Sequence, residues 1–342
     1  MPQSESARTG TIGFLMPDGT FDRVFSEPDL TRLRSEPYAR LPSDRPLRLE
    51  RAEDRARLAA VEVLVTGWGS PVLDETLLRS LPSLRAVAHS AGSVRGIVTD
   101  ALLERRVALT SSATANAVPV AEFTMAMVIL AAKRTFWAAE TLRASRAPVD
   151  AERAWPTVGS HGITVGVVGA SRIGRLVVER LASLDVRVVV ADPTLDHEEQ
   201  AALGVPFVTL DELAAHSDIV TLHAPALPST RHLVDRSLLQ LMRPGTTVIN
   251  TARGDLIDHD ALADRLDRGD LVAILDVTSP EILPPSSRLW STPNTVITPH
   301  IAGSAGNELA RLAANTVDEA LHFVRFGTFQ RPITLAALAL QA

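Results

Sequence analysis

Short apolar runs rich in β-branched residues alternate with segments of helical periodicity along most of the chain. In the first third we predict strands at TIGFLM (11–16), VEVLVTGW (61–68), LRAVAHS (84–90) and VALTSS (107–112). A second series of strands is predicted at 163–169, 186–191, 205–209, 218–223, 246–251, 271–277 and 295–299, with helices between them. This alternation is typical of α/β domains built on parallel sheets. Residues 17–50, rich in Pro, Asp and Arg, give no clear assignment.

One long amphipathic run over residues 118–147 separates the two series of strands. It carries Pro119 near its start, a position where a helix tolerates proline. The run is longer than a simple crossover between neighbouring strands needs, so we expect it to link two domains. A final helix is predicted from Ala305 to Phe326. We therefore place domain boundaries near residues 118 and 304, with the second domain inserted into the first.

The composition narrows the classes of partner. The 342 residues are 46% hydrophobic and 22% charged, as in a globular protein of two domains. The net charge of −6 and the absence of a basic block argue against a nucleic-acid partner. No apolar run reaches the roughly 18 residues of a membrane helix, and the polar N-terminus lacks a signal-peptide core. We expect a soluble cytoplasmic protein that binds no membrane.

Several residue types are too rare to support particular chemistries. The chain has no Cys, which excludes disulfides, thiolate nucleophiles and thiolate zinc sites, and we assign no metal site. Tyr38 is the only Tyr and Lys133 the only Lys. Position 42 is Pro, so no Tyr-x-x-x-Lys pair exists to protonate a substrate. Lys133 lies in an apolar helical segment and is a poor candidate for a catalytic acid.

The stretch ITVGVVGASRIG (163–174) has the form of a dinucleotide-binding turn with one departure. Gly169 permits a tight turn from strand to helix, and Gly174 lets the helix pack close to the strand. The middle glycine of the usual pattern is replaced by Ser171. Serine is small and its hydroxyl can donate to a phosphate, so we expect the site to remain functional. Arg172 follows and is a further candidate for a phosphate contact.

Asp192 completes this pattern at the end of the predicted second strand. It lies 23 positions after Gly169 (192 − 169). An acid at about this spacing accepts hydrogen bonds from the adenosine ribose and repels a 2′-phosphate, which favours NAD over NADP. The alternative is a glycine turn that only packs a helix, beside a surface Asp.

Charged side chains follow three of the later predicted strands. Arg253 lies in VINTARGDLID, Asp276 and Glu281 in LDVTSPEILPP, and His300 in VITPHIAGS. Ligands bind at the carboxyl ends of strands in open parallel sheets. A guanidinium binds a carboxylate, and a His with an acidic partner exchanges a proton near neutral pH. Taken singly, each has a structural alternative: Arg253 as a helix cap or partner of Asp255, Glu281 as a solvated acid, His300 as a buried His.

These segments together resemble the D-isomer-specific 2-hydroxyacid dehydrogenases. The resemblance also covers HSAGSVRGI (89–97), NAVPVAEFTMAMVI (116–129) and LHAPALPSTRHLVD (222–235). The motifs occur in family order over residues 85 to 305, while the first 60 and last 20 residues carry little resemblance. It implies a Rossmann dinucleotide-binding domain over 119–304. That domain would be inserted into a flavodoxin-like substrate domain formed by 1–118 and 305–342.

The resemblance also assigns roles to individual residues. Arg253 would bind the substrate carboxylate and polarise its carbonyl, His300 would be the acid/base, and Glu281 its carboxylate partner. NAD would be held by Gly169, Ser171, Arg172, Ile173, Gly174, Asp192, Thr251, Ala252, Asp276, Ala302 and Gly303. The substrate would be bound by Ala91, Gly92 and Ser93, with Arg95 as a candidate contact for a second anionic group. The run from Pro119 resembles the family's dimer-forming helix, so we expect a homodimer.

The departures from the family pattern affect the expected choice of substrate more than the expected reaction. Besides Ser171, Thr278 stands where an aromatic residue is common, and the chain is one residue shorter between Gly269 and Asp276. The substrate loop reads AGSVRG, and Arg95 has the alternative of being a solvated surface residue. The predicted activity is hydride transfer between NAD(H) and a 2-hydroxy acid/2-keto acid pair. Alternatives are a non-catalytic NAD-sensing scaffold and a hydrolase that oxidises its substrate transiently.

Overall fold

The computed structural model describes residues 9–340, which form two compact units. The split unit contains the described residues up to Asn116 together with those from Ser304 onward. The inserted unit is Ala117–Gly303. Each unit is built on one parallel sheet, as the alternation of apolar runs predicts.

The strands lie close to their predicted positions. In the described residues they are β1 (Gly10–Phe14), β2 (Ala39–Arg40), β3 (Val63–Thr66), β4 (Ala86–His89), β5 (Ala108–Ser111), β6 (Thr164–Val168), β7 (Arg187–Ala191), β8 (Ile219–Leu222), β9 (Thr247–Asn250), β10 (Val272–Leu275) and β11 (Thr295–Ile297). The split unit has the order β2-β1-β3-β4-β5, which is flavodoxin-like. β3, β4, β8, β9 and β10 are buried throughout. Burial on both faces explains their continuous apolar runs.

Helices connect the strands. They are α1 (Asp18–Val24), α2 (Glu27–Ser35), α3 (Ala52–Leu58), α4 (Glu75–Arg79), α5 (Asp100–Glu104), α6 (Ala113–Ala132), α7 (Thr135–Ser145), α8 (Ala151–Ala154), α9 (Arg172–Leu181), α10 (His197–Leu203), α11 (Leu210–His216), α12 (Arg236–Leu241), α13 (His259–Asp267), α14 (Leu309–Phe326) and α15 (Leu335–Leu340). Short 3-10 helices lie at Pro228–Thr230, Gly254–Leu256, Arg288–Trp290 and Gly306–Glu308. The unassigned segment 17–50 thus contains α1, α2 and β2, short elements with little periodicity to read.

The inserted sheet has the order β11-β10-β9-β8-β6-β7. The strand predicted at 205–209 is reduced to a single parallel bridge between Val190 and Phe207. Val190 N donates to Pro206 O at 2.9 Å and Val208 N to Val190 O at 2.9 Å. With this segment as the edge beyond β7, the order matches that of dinucleotide-binding folds. The order reverses between β6 and β8, and this switch point is where such folds bind their ligands.

The predicted long run at 118–147 is two helices rather than one. α6 begins at Ala113, so Pro119 lies inside it and not at its start, and the helix ends before Arg134, whose φ is +53°. The Arg134 guanidinium is buried, which lowers its pKa, and it donates to Gly245 O at 2.7 Å. This hydrogen bond ties the turn between α6 and α7 to the loop before β9.

α6 also corrects the expectation that no segment is long and apolar enough to cross a membrane. Among the described residues it is the single helix that meets this criterion by length and composition. Its most apolar part is 56% buried inside the protein. Because the core helix of a globular protein meets the same criterion, this one helix is weak evidence for a membrane span.

Two buried histidines make the stability depend on pH. Burial lowers the pKa of His89, at the end of β4, to about 4 and that of His223, after β8, to about 3. In the unfolded chain each ring titrates near its ordinary pKa of about 6.5. As pH falls from there towards 4 the unfolded state binds more protons, so the free energy of unfolding decreases.

We expect the free energy of unfolding to fall by about 2 kcal/mol per buried histidine between pH 7 and pH 5. Urea denaturation at the two pH values measures this loss. His89→Gln removes one of the two titrating groups and should reduce the pH dependence. Equal unfolding free energies at both pH values would contradict the prediction.

Candidate active site

The turn after β6 accepts only glycine at two positions. Gly169 has φ +90°, and a Cβ there would lie 2.6 Å from Ala224 N. A Cβ on Gly174 would lie 2.1 Å from Gly169 O. The chain after β8 therefore packs directly against the turn, and α9 starts close to the end of β6. This close packing places the start of α9 at the switch point of the sheet.

Ser171 makes a different contact from the one expected. Its Oγ donates to His223 O at 2.8 Å, so its proton is directed to the loop after β8 rather than towards a phosphate. Within the described part of the chain its side chain makes no capping hydrogen bond to α9. The first amides of α9 are thus without a side-chain cap, and such amides bind anions. Arg172 is exposed at the same helix end.

Asp192 is held beside the glycine turn. Its Oδ2 accepts from Ala170 N at 2.8 Å, and its Oδ1 accepts from Thr194 N at 2.9 Å and from Thr194 Oγ1 at 2.6 Å. These contacts orient the carboxylate at the end of β7, where an acid binds the adenosine ribose. The site thus has a turn with no space for a Cβ at Gly169 or Gly174, a helix start without a side-chain cap, and an oriented carboxylate at Asp192. This arrangement fits the pyrophosphate and ribose of a dinucleotide.

His223 belongs to this region but was not found from the sequence. Its ring is buried, and its Nε2 lies 2.9 Å from Thr221 Oγ1. Its Nδ1 is buried without a hydrogen-bond partner in the described residues. Its carbonyl accepts the Ser171 proton, so it helps to shape the turn. No periodicity or spacing in the sequence indicates this contact.

Arg253 projects from a turn that Asn250 shapes. Asn250 Oδ1 accepts from Ala252 N at 3.0 Å, and its Nδ2 donates to Arg253 O at 2.8 Å. Thr251 Oγ1 lies 2.9 Å from Thr124 Oγ1 on α6. Arg253 is half-buried, and its Nη1 donates to Ala252 O at 2.6 Å. Among the described residues its side chain does not cap the 3-10 helix that follows, so the helix-cap alternative is not observed.

Asp276 organises the loop that carries His300. Its side chain is 2% exposed, and its carboxylate accepts from Thr298 Oγ1 at 2.5 Å, Ile301 N at 2.9 Å and Ala302 N at 2.8 Å. The backbone N of His300 donates to Asp276 O at 3.0 Å. These contacts fix the main chain on both sides of His300. Gly303 follows directly at the end of the inserted unit.

The predicted acid/base His300 and its predicted partner Glu281 lie in contact. His300 Nδ1 lies 2.5 Å from Glu281 Oε1, and the two side chains are 49% and 56% exposed. This exposure excludes the alternative of a buried, satisfied histidine. A proton on Nδ1 that is donated to the carboxylate leaves Nε2 to exchange a proton with a ligand. The backbone of His300 has φ +54°, which the loop around Asp276 imposes.

The four predicted substrate-binding residues lie in the split unit, in the loop after β4. Ala91 is buried, and a Cβ on Gly92 would lie 3.3 Å from Asn116 Nδ2. Ser93 Oγ accepts from the backbone N of Arg95 at 3.4 Å, and the Arg95 side chain is exposed. The loop is therefore an ordered turn, while the predicted cofactor and catalytic residues all lie in the inserted unit.

The family model for the D-isomer specific 2-hydroxyacid dehydrogenase, NAD binding domain, matches residues 125–302, more than half of the chain. The chain belongs to this family. The match lies within the inserted unit and contains the glycine turn, Asp192, Arg253, Glu281 and His300. The predicted family and the predicted cofactor, NAD, are confirmed.

Relatives of the dehydrogenase family carry several names. The chain is 32% identical over 263 residues to D-3-phosphoglycerate dehydrogenase of Mycobacterium tuberculosis, covering 75% of this chain and 48% of that protein. It thus spans about half the length of the phosphoglycerate dehydrogenases that it matches. It is 34% identical over 272 residues to (S)-sulfolactate dehydrogenase of Chromohalobacter salexigens, covering 78% and 87% of the two chains.

Solved structures confirm the predicted fold class of the chain. The TT0316 protein from Thermus thermophilus is 30% identical, with a TM-score of 0.74 and coverage of 95% of this chain and 100% of that one. Apo D-mandelate dehydrogenase of Rhodotorula graminis is 24% identical, with a TM-score of 0.76 and coverage of 95% and 97%. At that identity the second likeness shows the fold alone.

Proposed function

We propose that this protein transfers a hydride between NAD(H) and a 2-hydroxy acid/2-keto acid pair of the D-isomer series. The observation that carries the proposal is the 2.5 Å contact between His300 Nδ1 and Glu281 Oε1 in the loops after the strands of an NAD-binding domain. An exposed histidine with a carboxylate on one ring nitrogen is suited to proton exchange through the other.

Each residue of the inserted unit then has a separate task. Bound NAD supplies the hydride acceptor, or NADH the donor. During reduction His300 gives a proton from Nε2 to the carbonyl oxygen, and during oxidation it takes that proton back. Glu281 stabilises the imidazolium and holds the proton on Nδ1. Arg253 binds the substrate carboxylate through a guanidinium, whose planar geometry matches it.

The same proposal assigns the substrate loop of the split unit. The backbone of Ala91, Gly92 and Ser93 binds the substrate carboxylate, and Arg95 binds a second anionic group. Support for Arg95 comes from its exposure and from the names of two relatives, whose substrates, phosphoglycerate and sulfolactate, carry such a group. Another relative is named glyoxylate reductase, and glyoxylate has no second anionic group.

NADH oxidation with a panel of 2-keto acids tests both parts of the proposal. The panel contains small acids such as glyoxylate and pyruvate, and larger ones with a second carboxylate, phosphate or sulfonate. Turnover of several members supports the dehydrogenase. If kcat/KM is higher for the doubly charged acids than for the small ones, and if Arg95→Ala abolishes this difference, the role of Arg95 is supported. If the original protein and the variant each have the same kcat/KM for the two classes of acid, that role is contradicted. NADH binding without turnover of any acid would favour the alternative of a non-catalytic NAD sensor.

We expect NADH to exceed NADPH in kcat/KM by more than about tenfold. Asp192 would lose charge-assisted hydrogen bonds to the ribose, worth about 1.5–3 kcal/mol each, and would face the 2′-phosphate. Steady-state kinetics with both cofactors measures the ratio. Asp192→Ser should bring the two values closer together, and equal kcat/KM in the unaltered protein would contradict the role of Asp192.

We also propose a cytoplasmic homodimer. Met125, Ile129, Leu130 and Phe136 on α6 and α7 are partly exposed, and Leu142 is exposed. Met127, Val128 and Trp137 on the same two helices are buried within the protein, which reduces the apolar surface open to a partner. Sedimentation at micromolar concentration tests the proposal, and a monomeric mass would contradict it.

A further inference from the structure

Thr278, three residues after the end of β10, makes contacts that hold the loop carrying Glu281. Its side chain is buried, with 6% exposed. Its Oγ1 donates to Pro280 O at 2.8 Å and to Glu281 O at 2.9 Å. One hydroxyl proton thus holds the carbonyls of two consecutive residues. The second of these residues is the carboxylate partner of His300.

The backbone of Thr278 is itself fixed on the loop that carries Arg253. A Cβ on Gly254 would lie 2.0 Å from Thr278 C and 2.3 Å from Thr278 O, so the two main chains touch. Ser279 Oγ donates to Asp255 Oδ1 at 2.5 Å and closes the same contact. Displacement of the 278–281 loop would therefore have to break contacts with residues 254 and 255. Thr278 is therefore held in place by its neighbours, and its hydroxyl in turn holds the main chain of Glu281.

The contact between His300 and Glu281 is half exposed, so a main chain held in place at Glu281 helps to maintain it. An exposed ion pair contributes little by itself, since water competes for both groups and each side chain loses rotamer freedom when it pairs. Glu281 and the preceding Pro280 lie in an exposed loop. Holding the main chain of Glu281 removes part of this entropic cost before the carboxylate reaches Nδ1.

We propose that Thr278 is a positioning residue whose hydroxyl holds the main chain of Glu281 so that its carboxylate contacts His300 Nδ1. Because Thr278 packs against Gly254, the position of Glu281 is also fixed relative to the loop that carries Arg253. The inference rests on the proposed function, because Thr278 affects catalysis only if His300 is the acid/base. The contacts themselves do not depend on which acid is the substrate.

The test compares Thr278→Val, which keeps the shape and removes the hydroxyl, with Thr278→Ser, which keeps the hydroxyl. The readout is the tautomer of His300, measured from its ring ¹⁵N shifts in the NADH-bound protein at about pH 9, above the ordinary titration range of imidazole. We expect the fraction of His300 protonated on Nδ1 to fall in Thr278→Val and to stay at the original level in Thr278→Ser. No turnover is needed, so absence of reductase activity would overturn the proposed function without affecting this result.

A matched control is Thr292→Val. Thr292 is also buried in the inserted unit, and its hydroxyl also donates to a backbone carbonyl, that of Leu289, at 3.3 Å. It should lower the melting temperature without changing the His300 tautomer. In a Glu281→Ala background, Thr278→Val should cause no further tautomer change, because residues acting through one another are not additive.

With an active substrate, Thr278→Val should reduce kcat/KM by about threefold to tenfold, as expected for one lost hydrogen bond, and Thr278→Ser should restore most of it. An unchanged tautomer in folded, NADH-bound Thr278→Val overturns the inference. An equal tautomer change in Thr292→Val also overturns it, because the effect would then be general loosening. If the valine variant fails to fold, Thr278→Ala is compared with Thr278→Ser in the same way.

Discussion

Replacing His300 by Asn is expected to lower kcat by about 10²–10⁴-fold, the usual contribution of a general acid or base. Asn lacks a group that exchanges a proton near neutral pH. It is also one of the residues that best tolerates the φ of +54° at this position, so the loop should keep its shape. The affinity for NADH, measured by fluorescence titration, should therefore remain close to that of the original protein.

The inserted unit contains a matched control for this change. His161 Nδ1 lies 2.5 Å from Asp185 Oδ2, the same pairing as in His300–Glu281, and the His161 side chain is 92% exposed. His161→Asn removes an equivalent histidine–carboxylate pair away from the site and should leave kcat unchanged. Near-normal kcat in His300→Asn, or a similar loss in both variants, would show that His300 is not the acid/base.

Replacing Arg253 by Gln is expected to lower kcat/KM by about 10²–10⁴-fold. The guanidinium would otherwise form two charge-assisted hydrogen bonds with the substrate carboxylate, each worth about 1.5–3 kcal/mol. The turn itself should survive, because Asn250 holds the backbone of Ala252 and Arg253. Steady-state kinetics on the best keto acid of the panel measures the loss.

Two comparisons make the Arg253 result specific. Arg253→Lys keeps the charge but not the planar pair of donors, so it should recover only part of the activity. Arg236→Gln removes an exposed arginine that pairs with Asp264 and should leave kcat/KM unchanged. If kcat/KM of Arg253→Gln lies within about threefold of the original value, the loss corresponds to less free energy than one ordinary hydrogen bond contributes. That result would contradict the assignment.

The sequence by itself determined the features that depend on local backbone and burial. Strands buried on both faces appear as continuous apolar runs, so most of the strands were placed correctly. Gly169 and Gly174 were recognised because a tight turn needs the φ of +90° at Gly169, and because a Cβ on Gly174 would meet Gly169 O at 2.1 Å; both of these constraints act within six residues. The pairing of Glu281 with His300 was implied by several short motifs in family order, and their contact is present.

Only the tertiary structure decided the partners of other polar side chains, such as Ser171. Ser171 donates to the carbonyl of His223, 52 residues away, although its position suggested a phosphate contact. Pro119 lies inside α6 because tertiary packing extends that helix back to Ala113, and the strand expected at 205–209 finds only one bridging partner. A hydrogen-bond partner remote in the chain leaves no period or spacing in the sequence. The contact of Gly254 with Thr278 is set by the packing of neighbouring loops, which the tertiary structure alone brings together.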